Sequence, residues 1–228
     1  MAVVAVLHHL AKSSLGHVGA PLRAAGIDLD ERVLLDGGEL PEPGTMDGLV
    51  VLGGDQSALD ADADPLLSRE ALLLRETVAA GVPVLGVCLG GQMLAHALGG
   101  RVRHVGRVVE WRSLRKTAAG RSDPVYGALE DPVPALHWNE DVFDAPPGAE
   151  VLVEPAPAGV EAFRWGSAWA IQYHPDVDRA VLGEWMVDYG HQVPDREAFA
   201  AASAERLDAQ ARASAILFGA FARVVLGR

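Results

Sequence analysis

The residue best suited to covalent chemistry in this sequence is its single cysteine, Cys88. An apolar run that predicts a buried strand ends at Gly86-Val87-Cys88-Leu89-Gly90, and Leu94 and Leu98 then return at helical spacing. Strand, tight turn and helix form the pattern of a nucleophile elbow, whose glycines leave room for a strained central residue. The N-terminus of a helix favours the thiolate, which is the attacking species. The alternative is a small buried cysteine that only packs.

A base and an orienting acid for this nucleophile lie in Gln172-Tyr173-His174-Pro175-Asp176. Residues i and i+2 of an extended chain point to the same side, so Asp176 can fix the tautomer of His174 and favour its protonated form. Nucleophile, base and orienting acid are the parts of a catalytic triad. We therefore predict that Cys88, His174 and Asp176 converge. Taken alone, the His-Pro-Asp segment also fits a surface turn.

A glycine pair, Gly53-Gly54, ends the strand predicted over 47–55. Two glycines let the backbone approach a ligand and turn its N–H groups outward, as an oxyanion site requires. An ordinary tight turn is the alternative. His8-His9 end the first predicted strand, but no third ligand lies nearby in the sequence, and we expect no metal site there.

The elements that must position these residues predict an α/β fold, a doubly wound and mostly parallel central sheet with helices on both faces. Strands are predicted at 3–7, 32–35, 47–55, 82–87, 150–153, 160–164 and 169–173, and two more in 101–116 as a small antiparallel extension. The first predicted helix follows the segment 8–14 and ends near Gly26. Further helices are predicted over 67–78, directly after Cys88, and in a C-terminal tail over about 178–228. We interpret the apolar stripe of that tail as packing.

Composition excludes several classes of function. The 228 residues can form one large core, and we expect a single domain over 1–228. A net charge of −12 argues against nucleic acid or an anionic membrane as partner. No apolar run approaches a membrane span of about 18 residues, and the N-terminus is typical of a strand and not of a signal peptide. A single cysteine cannot form an internal disulfide, so we expect a cytoplasmic protein.

Three segments together resemble the class I, triad-type glutamine amidotransferase family, and most of all stand-alone proteins similar to the glutaminase domain of GMP synthase. They are 86–92, 172–176 and Leu52-Gly53-Gly54. The resemblance implies a flavodoxin-like fold with Cys88 as nucleophile, His174 as base and Asp176 as orienting acid. It also implies that Gly54 and Leu89 form an oxyanion hole. The contacts to the α-amino and carboxylate groups of glutamine would come from Gln92, Trp138, Asn139, Glu140 and Asp141.

Three positions depart from the usual family pattern. Asp176 stands where glutamate is usual, so the shorter acid must approach the imidazole more closely. Asp55 stands where proline usually follows the glycine pair, and its charge opposes a developing oxyanion. Asn139-Glu140 replace the usual His-Gly.

The function implied by the resemblance is release of ammonia from the glutamine side chain through a γ-glutamyl thioester on Cys88. No Gly-x-x-x-x-Gly-Lys-Ser/Thr loop for ATP is present, and we expect no cofactor. The expected partner is therefore an acceptor-activating synthase or ligase subunit. Two alternatives stay open, a γ-glutamyl peptide hydrolase that transfers no ammonia and a catalytically silent binding or regulatory subunit of the same fold.

Overall fold

The computed structural model describes residues 1–10, 14–36, 38–155 and 158–227. Its strands are β1 (Val3–His9), β2 (Asp28–Val33), β3 (Gly48–Gly54), β4 (Val84–Val87), β5 (Val102–Leu114), β6 (Val133–Phe143), β7 (Glu150–Val151), β8 (Ala162–Trp165) and β9 (Ala168–Ile171). Seven of them form one sheet in the order β2-β1-β3-β4-β9-β8-β7. The first five in this order run parallel; β8 is antiparallel to β9, and β7 is antiparallel to β8.

Helices cover both faces of this sheet. They are α1 (Gly19–Ala24), α2 (Pro65–Ala79), α3 (Leu89–Ala97), α4 (Ala118–Ser122), α5 (Arg179–Asp188) and α6 (Arg196–Val225). Val4 and Val6 of β1 enter one core with α1 and α6, while Ala5 and Leu7 enter the other with α2 and α3, because successive strand side chains alternate. The predicted doubly wound, mostly parallel α/β fold is confirmed.

The described part of the chain contains no helix with the length and apolar character needed to cross a membrane.

The second strand and the first helix differ from prediction. β2 covers Asp28–Val33, and the predicted strand at 32–35 is wrong over 34–35, because Leu34–Asp36 form a short 3-10 turn. β2 pairs only with β1, so its outer edge tolerates charged residues that hide the strand pattern. β1 continues through His9, and the described helix begins at Gly19; residues 11–13, which lead into the predicted helix, lie outside the described residues.

The predicted antiparallel extension is present, but the prediction that two strands within 101–116 form it is wrong. The region 101–116 forms one strand, β5, which pairs with β6 in a separate two-stranded sheet. The alternation in 101–116 belongs to a single strand interrupted by an irregularity between His104 and Val108. Its partner lies beyond α4 in the sequence, and local periodicity carries no information about pairing across that distance.

The C-terminal tail does more than pack. Leu207, Ser214, Phe218 and Phe221 of α6 are buried as its stripe predicts. Two buried polar side chains of α6 also hold the His-Pro-Asp segment: the Ser214 hydroxyl donates to the Pro175 carbonyl at 2.6 Å, and the Gln210 amide donates to the Val177 carbonyl at 2.7 Å. The interpretation of this helix as packing alone is therefore incomplete.

Two glycine-to-alanine changes test how closely α3 approaches the sheet. A β-carbon on Gly90 would overlap the Val51 carbonyl, whereas one on Gly183 of α5 has no neighbour within 4 Å. We expect Gly90→Ala to lower the free energy of unfolding by about 3 kcal/mol or more, and Gly183→Ala to raise it by up to about 1 kcal/mol. Urea unfolding of both variants measures this. Equal stability of Gly90→Ala and the parent chain would refute the close approach.

Candidate active site

Cys88 occupies a strained elbow between β4 and α3. Its backbone has φ 52° and ψ −109°, and among the described residues it is the only non-glycine residue with positive φ. The surrounding backbone is too close for side chains, since a β-carbon on Gly86 would overlap Gly90 and one on Gly91 would lie 2.8 Å from the Ile171 oxygen. Such strain persists only where the surrounding structure enforces it. The Cys88 side chain is almost buried but borders the main cavity.

His174 and Asp176 lie at the same cavity, so the structure brings the three predicted triad residues together. The Nδ1 atom of His174 is 3.2 Å from the Asp176 carboxylate, and its Nε2 atom is 3.4 Å from the Trp138 carbonyl oxygen. The Trp185 ring packs edge-on against the imidazole with centroids 4.9 Å apart. These contacts define the plane of the imidazole.

The site favours the protonated imidazole. Burial by itself lowers the pKa of His174, but the Cys88 thiolate and the Asp176 carboxylate outweigh burial and raise that pKa to about 10. An imidazolium beside a cysteine favours the thiolate, which is the nucleophilic form of cysteine.

The glycine pair at the end of β3 lies directly against the nucleophile. A β-carbon on Gly53 would be 3.5 Å from the Cys88 β-carbon and 3.1 Å from the His174 Cε1 atom. A β-carbon on Gly54 would approach the Leu89 side chain to 3.1 Å. Leu89 begins α3, where backbone N–H groups lack partners within the helix. The two backbones predicted to form an oxyanion hole thus border the cavity beside Cys88.

A buried histidine–carboxylate contact missed by the sequence reasoning supports this loop. The Nε2 atom of His9 is 2.6 Å from the Glu70 carboxylate, and both side chains are 0% exposed. His9 is the register partner of Gly54, just after an irregularity in the pairing of β1 with β3. The signal was a charged residue at position 70 within the apolar stripe of α2. His9 therefore binds a carboxylate from α2.

His8 differs from its neighbour. No described residue accepts or donates a hydrogen bond at either ring nitrogen, although Glu31 lies 3.7 Å away. Burial lowers the pKa of His8 despite that carboxylate. Within the described ranges, no group of three or more His, Cys, Asp or Glu side chains is placed to hold a metal ion.

Three residues predicted to contact glutamine are hydrogen-bonded to one another. The Gln92 side-chain amide donates to the Asp141 carbonyl at 2.8 Å, and the Asn139 amide donates to the same oxygen at 3.1 Å. The Asp141 carboxylate lies 2.8 Å from the His104 Nδ1 atom and accepts a hydrogen bond from the Ser57 hydroxyl. Gln92 and Asp141 thus fix β6 against α3, while still lining the cavity.

Trp138 and Glu140 also line this cavity. The Trp138 indole donates to Gln192 at 2.9 Å, and the Glu140 carboxylate pairs with Arg107, a residue for which the motifs carried no signal.

Asp55 turns towards the segment after α5. Its carboxylate accepts a hydrogen bond from the Tyr189 hydroxyl at 2.9 Å. Burial and this bond raise the pKa of Tyr189 to about 12. The interaction ties the glycine loop to the far wall of the cavity.

The residues predicted to form the site line one cavity of about 370 Å³. Small-molecule sites occupy roughly 300–1,000 Å³. The cavity lies at the carboxyl ends of the parallel strands, where α/β sheets bind ligands.

The pairing of His174 can be tested by its titration. We expect NMR of the imidazole to give a pKa near 10 in the parent chain. Cys88→Ala and Asp176→Asn should each lower it, because each removes a negative charge while burial remains. Since the folded pKa exceeds the free value, the stabilisation from this proton is complete below about pH 6.5 and is lost as pH rises through 10. An unchanged titration in both variants would contradict the imidazolium–thiolate pair.

Comparison with known proteins agrees with this geometry. The family model of class-I glutamine amidotransferases matches residues 7–189. A GMP synthase (glutamine-hydrolyzing) of Thermus thermophilus is 35% identical over 146 residues, which cover 61% of this chain and 26% of that protein. The chain thus corresponds to about a quarter of that relative's length.

Solved structures show the same fold. A glutamine amidotransferase from Thermotoga maritima superposes with a TM-score of 0.85 at 23% identity, covering 97% of this chain and 98% of that one. A glutamine amidotransferase from Methylobacillus flagellatus superposes with a TM-score of 0.85 at 22% identity, covering 96% of this chain and 93% of that one. With its family model matched over most of its length, this chain belongs to the class I glutamine amidotransferase family.

Proposed function

We propose that this protein hydrolyses the side-chain amide of glutamine, with Cys88 as nucleophile, His174 as general acid and base, and Asp176 as the orienting acid. The observation that carries the proposal is the strained Cys88 elbow facing a His174–Asp176 pair in one cavity. Membership of the class I glutamine amidotransferase family supports the same substrate.

The proposed reaction proceeds in two steps. The Cys88 thiolate attacks the amide carbon, and the N–H groups of Gly54 and Leu89 stabilise the oxyanion of the tetrahedral intermediate. The imidazolium of His174 gives its proton to the nitrogen as the C–N bond breaks, so that ammonia leaves and a γ-glutamyl thioester remains. Water then attacks the thioester, His174 takes its proton, and glutamate departs as the thiolate re-forms.

The electrostatics of His174 suit both steps. Before attack, the thiolate holds the pKa of His174 at about 10, so the proton needed by ammonia is present. Thioester formation removes the charge of Cys88, which is the strongest factor that raises this pKa. The same imidazole thereby becomes a base when water must be activated.

Transfer of the ammonia to an acceptor is part of the proposal. The curated relative is named a glutamine-hydrolyzing GMP synthase, and this chain matches about a quarter of its length. We propose that a separate synthase or ligase subunit activates the acceptor, because no ATP loop occurs in this sequence. A reducing compartment such as the cytoplasm suits a free thiol nucleophile.

Replacement of the nucleophile tests the central step. Cys88→Ala should reduce ammonia release from glutamine by about 10⁴-fold or more, because no other group can form the thioester. Its urea unfolding midpoint should stay close to that of the parent chain, since the side chain is small and the glycines determine the turn. Ammonia is measured by an enzyme-coupled assay, and trapping of a labelled γ-glutamyl group provides a second readout. Retained activity would disprove the nucleophile assignment.

Substrate comparison separates glutaminase from γ-glutamyl peptide hydrolase. We expect kcat/KM for glutamine to exceed that for γ-glutamyl peptides and for γ-glutamyl p-nitroanilide by at least about 10-fold, because ammonia is the smallest of these leaving groups. Mass spectrometry of the products measures both reactions at equal concentrations. Faster release from the peptides would favour the hydrolase, and failure of a glutamine-analogue electrophile to label Cys88 would favour a silent subunit.

A further inference from the structure

The end of α5 and the turn that follows it form one wall of the cavity. Side chains of this wall segment, residues 184–192, line the cavity and contact two other parts of the site. The Trp185 ring lies edge-on to the His174 imidazole with centroids 4.9 Å apart. The Tyr189 hydroxyl donates a hydrogen bond to the Asp55 carboxylate at 2.9 Å. The wall segment therefore joins the triad histidine to the loop that carries the glycine pair.

That loop, residues 53–57, is held near both of its ends by contacts with β1 and β6. Gly54 packs against β1, since a β-carbon on it would come within 2.3 Å of the His9 β-carbon. At the other end, the Ser57 hydroxyl donates a hydrogen bond to the Asp141 carboxylate. Neither contact acts on the residue that directly follows the glycine pair. The position of that residue is left to a third contact.

Tyr189 supplies the third contact. Within the described part of the chain, no other residue binds the Asp55 carboxylate. Two successive glycines can adopt backbone conformations that other residues rarely adopt, so the direction of the Gly54 N–H group depends on how the neighbouring backbone is held. Asp55 is the next residue in the chain. A hydrogen bond to its side chain therefore restrains the backbone on which the proposed oxyanion contact depends.

The same hydrogen bond determines the direction of the Asp55 charge. A carboxylate that approached the developing oxyanion would oppose it, because like charges repel. Bound by the Tyr189 hydroxyl, the carboxylate faces the wall segment. Without that hydroxyl, the Asp55 side chain could rotate, and its charge would no longer be held at the wall segment.

We propose that Tyr189 is a positioning residue: through Asp55 it holds the backbone of Gly53 and Gly54 in the arrangement that stabilises the oxyanion. The inference rests on the proposed function and deepens it, because it identifies what keeps the oxyanion site assembled. It also gives a role to the acid at position 55. An aspartate accepts a hydrogen bond that a proline at this position could not accept, and so it links the glycine loop to the wall segment.

The competing explanation is a surface hydrogen bond that only stabilises the wall segment. Asp55 is exposed and Tyr189 is partly exposed, and water competes for both groups. The two explanations differ in the quantity that changes when the hydroxyl is removed. Loss of positioning slows the steps that form an oxyanion, whereas loss of a surface hydrogen bond alters stability alone.

Removal of the hydroxyl tests the positioning role. We expect Tyr189→Phe to lower kcat and kcat/KM for glutamine together by about 10- to 100-fold, because the lost restraint acts in the transition state. Alkylation of Cys88 by iodoacetamide should change by less than about 2-fold, since it requires the thiolate but forms no oxyanion. Asp55→Asn should retain most of the activity, because the amide oxygen still accepts a hydrogen bond from the hydroxyl. An unchanged kcat in Tyr189→Phe, or an equal slowing of the alkylation, would overturn the proposal.

A double-mutant cycle tests whether Tyr189 acts through Asp55. In the Asp55→Ala background, Tyr189→Phe should cause no further loss of kcat, since the hydrogen bond is already absent. Fully additive losses would contradict the proposal. Arg179→Gln is the matched control, because Arg179 is an exposed residue of α5 that pairs with Asp208 at 3.4 Å and lies outside the cavity lining. It should leave kcat unchanged, and a loss equal to that of Tyr189→Phe would also contradict the proposal.

An activated ester separates failure of this proposal from failure of the proposed function. p-Nitrophenyl acetate acylates a reactive thiolate through a tetrahedral oxyanion and requires no recognition of glutamine. Its burst of p-nitrophenol, which should be absent in Cys88→Ala, should be slower in Tyr189→Phe. A slower burst in that variant of a protein that releases no ammonia supports the positioning role and refutes the glutaminase. Ammonia release with an unchanged burst in Tyr189→Phe refutes the positioning role alone, and absence of both ammonia release and the burst refutes both proposals.

Discussion

The structure depends on the close approach of α3 to the carboxyl ends of β3, β4 and β9. Glycines at 86, 90 and 91 allow backbone to lie against backbone, and a side chain at any of them would meet Gly90, Val51 or Ile171. Because the helix begins at that distance, Cys88 must adopt positive φ. The strain and the placement of the thiolate at a helix N-terminus are thus two results of one packing constraint.

Each loop around the nucleophile is held by a buried polar contact from a helix. Glu70 of α2 holds His9 behind the glycine loop, and Ser214 and Gln210 of α6 hold the backbone after His174. A buried polar group that loses its hydrogen-bond partner costs about 1–3 kcal/mol, so these contacts also resist local opening. Rigid helices thereby determine the positions of groups that lie in loops, which is what preorganised catalysis requires.

The cavity is acidic, and this charge distribution shapes its chemistry. Carboxylates surround a single arginine among the described lining residues, while the thiolate and Asp176 keep His174 protonated. The shorter acid at position 176 still reaches the imidazole at 3.2 Å, since α6 holds Pro175 and Val177 by their carbonyls. Asp55 is bonded to Tyr189, so its charge is partly engaged at the rim.

Local patterns in the sequence predicted most of the segments that form the parallel strands, the elbow at Cys88 and the closeness of His174 to Asp176. Strand periodicity, glycine sterics and i, i+2 geometry are properties of short segments. The single-domain organisation over 1–228 stays a prediction. Only the tertiary structure decided that β5 pairs with β6, that Glu70 contacts His9, and that Arg107 contacts Glu140. Each of these joins residues at least 19 positions apart, the separation of Leu114 from Val133. Partners across such distances are selected by packing, which no local pattern encodes.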